Sequence, residues 1–174
     1  MLQYLEIYLL VSGLPAVWAI VIYNLLVRDK NRVLTAWSDI DVQLKRRHDL
    51  IPKLVEAVKH YADYESTMLT HITELRQQSE TVADIARKGE VEQELAGTVN
   101  KLLAIAEDYP DLKASASYLD LQRNLTDVEQ QLQYARRYYN GAVRNLNIRI
   151  ESFPDMLVAR LFGYRQAQFF QYEN

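Results

Sequence analysis

Steps of three and four residues from Val33 land on Val33, Trp37, Ile40, Leu44, Arg47, Ile51, Leu54, Val58, Tyr61, Glu65, Met68, Ile72, Leu75 and Ser79. Eleven of these fourteen are apolar. An average step of about 3.5 residues is the signature of a helix that buries one narrow stripe against other helices. The neighbours Asp39, Asp41, Lys45 and Lys53 are polar, as an outer face requires. A second seam runs through Tyr118, Leu121, Leu125, Val128, Leu132, Ala135, Tyr139, Ala142, Leu146, Arg149 and Phe153, with ten of eleven apolar. Two helices this long and this one-sided must cover each other, which predicts a helical bundle. Gly (5) and Pro (4) are too scarce for an all-β fold with many tight turns.

The punctuation divides the chain further. Arg87, Lys88 and Gly89 read as the end of the first long helix, with basic residues in its last turn and glycine beyond. A second helix is expected over 90–108, with Val91, Leu95, Val99, Leu102 and Ala106 inward. Pro110 stops it. A third helix is expected over 117–152 and ends at Phe153-Pro154-Asp155, followed by one short helix over 155–162 in an aromatic tail.

Ahead of the first seam, residues 7–27 read IYLLVSGLPAVWAIVIYNLLV, 21 residues without a charge. As a helix this run is about 31 Å long, close to the ~30 Å hydrocarbon core of a bilayer. Tyr4, Tyr8, Trp18 and Tyr23 supply interfacial aromatics. Pro15 is better tolerated in a membrane helix than in a soluble one. A cleaved signal peptide would want a basic leader and a small-residue cleavage site, and neither is present. A buried core helix would rarely run so far without a charge on any face. Residues 1–27 hold no Lys or Arg, whereas Arg28, Lys30, Arg32, Lys45, Arg46 and Arg47 all lie within 20 residues of the run's end. The positive-inside rule then places the short N-terminus outside and the large domain in the cytoplasm. The expected fold is all-α: an N-terminal transmembrane helix (1–27) continuing directly into an elongated antiparallel helical bundle (28–174).

Specific runs carry a resemblance. YNLLV, NRV, AWSDIDVQLKRRHDLIPKLV, YPDLKA, ARRYYNGAVRNLN, FP and FG, spread from Tyr23 to Gly163, resemble the LemA family of bacterial membrane proteins. Ser115 and Ser117 stand where that family is expected to carry asparagines, which reads as a change of helix cap. The resemblance implies a helical-bundle domain on a single N-terminal anchor and no established enzymatic activity. One branch of the family is associated with magnetosome membranes, which points to membrane organisation. It supplies no catalytic residues.

The residues themselves point away from catalysis. With no cysteine there is no thiolate metal site or thiol nucleophile. His60 and His71 share a helix face but lie about 16 Å apart along it, so they cannot hold one metal. No phosphate-binding glycine loop or nucleophile elbow occurs. The expectation is no catalytic residue, no metal and no cofactor. Arg136, Arg137, Tyr138 and Tyr139 could suggest base stacking. However, Tyr139 is a seam residue, and a net charge of −3 argues against a nucleic-acid partner. No small-molecule substrate is evident either.

One stretch sets the functional question: DVQLKRRHDLIPKL, residues 41–54, places Lys45, Arg46, Arg47, His48 and Pro52 within a helix. If the first helix runs on to 75–86, the second returns for only ~28 Å and the seam at 33–51 is left uncovered. An uncovered apolar seam marks an interaction surface. Val33, Trp37, Ile40, Leu44, Arg47 and Ile51 are therefore expected at a homo-oligomer interface. Arg28, Lys30, Arg32, Lys45 and Arg46 are expected to meet lipid headgroups or to fix register on a neighbouring copy. Pro52 is expected to kink the helix. A solvated basic patch on a kinked helix is the plainer alternative. The function these features favour is a self-associating membrane scaffold; the alternative is a membrane-tethered signalling adaptor.

Overall fold

The computed structural model describes residues 2–59 and 66–170, with backbone alone for residues 2–12 and 66. Its regular elements are α1 (Leu2–Lys59), α2 (Ser66–Thr81), α3 (Ile85–Ala106), α4 (Pro110–Lys113), α5 (Ala116–Glu151) and α6 (Asp155–Leu161). Every regular element among the described residues is a helix. α1 alone has 58 residues, about 87 Å of continuous helix, and it passes through both Pro15 and Pro52 without a break.

The expected first helix is two helices. α1 stops at Lys59 and α2 begins at Ser66, although no Pro or Gly occurs between Pro52 and Gly89. α2 then doubles back beside α1, so that Ser79 and Glu80 lie at the level of His48. The end signal read at Gly89 is corrected as well, because Gly89 is buried inside α3. Asp84 sets the boundary instead: its Oδ1 accepts from the Arg87 N–H at 2.9 Å, a side-chain N-cap. α3 climbs again, and α4 reverses the chain. α5 descends for 36 residues, about 54 Å. Ser115 does occupy the N-cap of α5, but its side chain makes no capping hydrogen bond.

α1 and α5 are antiparallel partners over most of their length. Arg47 meets Glu129, Trp37 meets Tyr139 and Asp29 meets Arg149, each pair summing to 176 or 178. The upper half is a four-helix bundle whose core joins Ile51, Leu54 and Val58 of α1 to Ile72, Leu95, Leu102 and Tyr118. In the lower half α1 and α5 are covered by α6 and the tail. Ile22, Leu26, Val33, Ile40 and Leu44 pack there with Val128, Leu132, Tyr139, Leu146, Val158 and Phe170.

The seam at 33–51 is therefore not uncovered. Val33, Ile40, Leu44, Arg47 and Ile51 are buried within the chain itself, and Trp37 is half-buried between Tyr139 and Phe170. α1 reaches only to Lys59, which lets α5 start level with its upper end and run back along the seam.

The tail completes the lower half through two asparagine forks. The Asn140 side chain donates to the Phe170 carbonyl (3.1 Å) and accepts from the Phe170 N–H (3.0 Å). Asn147 does the same with Ala167, at 3.0 and 2.8 Å. Each amide satisfies one backbone donor and one acceptor, which fixes a non-regular segment against a helix. Upstream, α6 ends on Gly163 at φ 68°, with Gly163 N–H donating to the Arg160 carbonyl and Tyr164 N–H to Ala159. That is the paired closure of a Schellman motif, which favours glycine. Among the described residues no helix is long and apolar enough to cross a membrane. The expected span at 7–27 is described with side chains only from Gly13 onward.

Candidate functional site: a buried charge layer between two cores

Between the upper and lower cores lies a layer of charge. Arg47 occupies a seam position between Leu44 and Ile51, so the geometry of α1 turns it inward. The residue is 3% exposed, His48 7% and Glu92 1%, low enough that each charge must be paired. Arg47 Nη2 donates to the Glu92 side chain and to its backbone carbonyl (2.9 Å), while Nη1 reaches Glu129 Oε2 at 2.9 Å. His48 Nε2 lies 2.8 Å from Glu92 Oε1, and the Ser79 hydroxyl donates to the same oxygen. Three helices therefore meet at one carboxylate, α1 through Arg47 and His48, α2 through Ser79 and α3 through Glu92 itself, and Arg47 ties in α5 through its second bond to Glu129.

Electrostatics follow from this count of donors. Burial alone would raise the Glu92 pKa. The His48 hydrogen bond, the Arg47 charge, the His48 charge and the Ser79 hydroxyl outweigh burial and bring it down to about 2. Glu92 is held ionised and saturated with donors, which makes it a structural anion rather than a proton acceptor for chemistry. Beside it, between α3 and α5, opens a cleft of about 330 Å³ walled by Arg47, Val99, Leu103, Leu125, Asn100 and Gln133. The cleft presents carboxamide and apolar groups together with the Thr126 hydroxyl and the Glu129 carboxylate.

A second charged joint lies lower down. Asp29, 4% exposed, takes the Arg149 Nε at 2.6 Å, and Arg149 Nη1 reaches Asp155 at 2.9 Å. One guanidinium thus connects α1, α5 and the start of α6. The Asp29 hydrogen bond raises the Arg149 pKa above its ordinary value, against the opposing effect of burial.

The expected site residues divide between these joints. Arg47 is a core residue. Arg46 is exposed and lies 3.6 Å from Asp127 of its own chain. Lys45 and Arg46 stand about 27 Å along the helix beyond residue 27. Arg28, Lys30 and Arg32 are exposed around Asp29 and Tyr164: Arg28 and Arg32 lie 3.7 and 3.6 Å from Asp29, and Lys30 sits over the Tyr164 ring. Arg137 lies over the Tyr134 ring. His71 is exposed beside Glu94, and His60 lies outside the described residues. Glu92 and Glu129 were not foreseen from sequence as partners of Arg47, nor Ser79 as a partner of Glu92. The available signal was the charge itself: an arginine in an otherwise apolar seam requires a buried acid.

These features define an all-α bundle on a long helical stalk, with its helices joined by buried ion pairs. A model of the LemA family matches residues 36–174, and the chain belongs to that family. It is 28% identical over 149 residues to Protein LemA of Metamycoplasma hominis, covering 85% of this chain and 68% of the relative. It is 21% identical over 175 residues to Magnetosome protein MamQ 2 of Paramagnetospirillum magneticum, covering 86% and 64%. With Magnetosome protein MamQ of Magnetospirillum gryphiswaldense the identity is 20% over 174 residues, covering 85% and 64%. The chain therefore spans about two thirds of the length of these relatives.

Proposed function

We propose that this chain is a non-enzymatic, membrane-associated scaffold, held in a bilayer by residues 7–27 and carrying its bundle on the cytoplasmic side. The observation that carries the reading is the lower end of α1. Leu14, Val17, Ile20 and Val21 are 67%, 62%, 61% and 50% exposed, on a helix that continues unbroken into the bundle. Apolar side chains this exposed on an uncharged helix favour lipid as their surroundings. The one-sided bases support the orientation, and the magnetosome names of two relatives support a membrane setting. A rigid stalk of α1 and α5, locked at two charged joints, suits a spacer that holds a surface at fixed distance from the membrane.

Self-association belongs to the same proposal, but through outward groups rather than the 33–51 seam. Val42, Tyr134 and Tyr138 are 56%, 53% and 59% exposed on adjoining faces of α1 and α5. The adaptor reading is favoured by the cleft beside Arg47, whose amide and apolar walls suit a protein segment.

The full chain, expressed in a bacterial host, should stay with the membrane pellet after alkaline carbonate extraction and should run as a large assembly in detergent. Release into the supernatant overturns the anchor. A small species in detergent leaves the anchor standing and replaces the scaffold with the adaptor.

A further inference from the structure

α6 is pinned beside the expected point of membrane exit. Val158 and Ala159 face inward, and the Phe162 ring lies 4.7 Å from Tyr23 of α1. Its outer side is uncovered: Leu157 is 52% exposed and Leu161 79%, with Phe162 at the C-cap 54% and Phe153 in the preceding turn 78%. A step of four puts Leu157 and Leu161 in one stripe along the helix. Four large apolar side chains in the open on and beside so short an element are costly in water. From this arrangement we infer that α6 is a second membrane contact, an interfacial helix whose apolar stripe seats in an anionic lipid surface next to α1.

Three features select lipid over another protein. Tyr23 is within the uncharged run, so Phe162 lies at a level that the anchor itself would place at the hydrocarbon edge. Through Phe162 against Tyr23 the stripe adjoins the helix that also exposes Ile20 and Val21. Arg28, Arg160 and Arg165 are exposed around it, where anionic headgroups would lie. The Arg149 bridge to Asp29 and Asp155 fixes α6 against the stalk, so seating the stripe would also set the depth and tilt of the whole bundle.

This inference rests on the membrane reading proposed above, and its test separates the two. The chain has no cysteine, so single cysteines can carry an environment-sensitive dye at exposed sites. Ile20→Cys reports on the anchor, Leu157→Cys and Leu161→Cys on α6, and Tyr134→Cys on the bundle side. Each full-length variant is reconstituted into vesicles of phosphatidylcholine and phosphatidylglycerol, with and without brominated acyl chains. Dyes at 20, 157 and 161 should show blue-shifted emission and lose most of it to bromine, while the dye at 134 should keep its emission. Quenching at 20 but not at 157 and 161 overturns the α6 contact and leaves the anchor. Quenching at neither overturns both. If 157 and 161 are shielded from aqueous iodide yet untouched by bromine, the stripe is covered by protein and the lipid assignment is wrong.

Discussion

Arg149 and Asp29 lie 120 residues apart in the chain and meet with Nε 2.6 Å from Oδ2. Asp29 is almost fully buried on α1, and Arg149 takes the one charged position in the α5 seam. Removing the arginine leaves a buried carboxylate with only the more distant Arg28 and Arg32 beside it. Breaking a fully buried pair typically costs ~3–5 kcal/mol. The Arg149 side chain keeps 25% of its surface in solvent, so Arg149→Ala should cost less, about 2–4 kcal/mol. Arg149→Lys keeps the charge but cannot bridge Asp29 and Asp155 with one planar group, and should fall between. Urea unfolding midpoints of the three proteins give the ranking; an alanine variant as stable as the parent would mean the joint carries no load.

Glu92 makes stability depend on acid. Its folded pKa of about 2 lies below the ordinary value of 4.5, so the folded state holds the ionised form more tightly than the unfolded chain does. The resulting stabilisation is complete above pH ~4.5 and disappears as pH falls toward ~2. At about 1.4 kcal/mol per pKa unit it amounts to about 3 kcal/mol. Glu92→Gln should therefore be less stable at pH 7 and should lose less stability between those two pH values. Parallel slopes for the two proteins in pH-resolved denaturation would contradict the assignment.

How far the fold could be read from sequence depended on the kind of signal. The α5 seam predicted burial of Leu121, Leu125, Val128 and Leu132, and all four are in the core. The expected limits 117–152 differ from Ala116–Glu151 by one residue at each end. Periodicity could not reveal that α1 ends at Lys59, because the apolar spacing keeps its phase across Tyr61, Glu65 and Met68 with no breaker residue. That one missed boundary displaced the second helix and turned a buried seam into an apparent interface. The exceptions within the seams were informative in hindsight: Arg47 and Arg149 are the two anchors of the charged joints, and Ser79, the last position counted, bonds to Glu92. The tail forks were out of reach, since nothing in a helical repeat says that Asn140 and Asn147 will bind backbone 20 to 30 residues away.

Those forks predict a local, separable effect. Asn140→Ala removes both hydrogen bonds to Phe170, whose ring packs 5.7 Å from Trp37. Asn140→Asp keeps the acceptor for the Phe170 N–H but sets a negative charge against its carbonyl. In a Trp18→Phe background, Trp37 emission should shift to the red in both variants as Phe170 leaves. Far-ultraviolet circular dichroism should hold steady, because α1 and α5 remain paired above and below. An unshifted Trp37 spectrum would show that apolar packing alone retains the tail.

Gly163 tests the closure of α6 by backbone conformation alone. Its φ of 68° lies in the left-handed region, and a Cβ built there would meet no atom within 4 Å. Substitution therefore adds conformational strain and no collision. Left-handed backbone costs an ordinary residue about 1–2 kcal/mol, and asparagine less than alanine. Stability should fall in the order Gly, Asn, Ala, with Gly163→Ala about 1 kcal/mol or more below the parent. The loss should be local as well as global. When the Schellman bonds from Gly163 and Tyr164 weaken, amide exchange should quicken at Tyr164 before it changes in α5. Equal stability and unchanged exchange in Gly163→Ala would mean that α6 ends without the left-handed turn, and with it would go the geometry that sets Phe162 beside Tyr23.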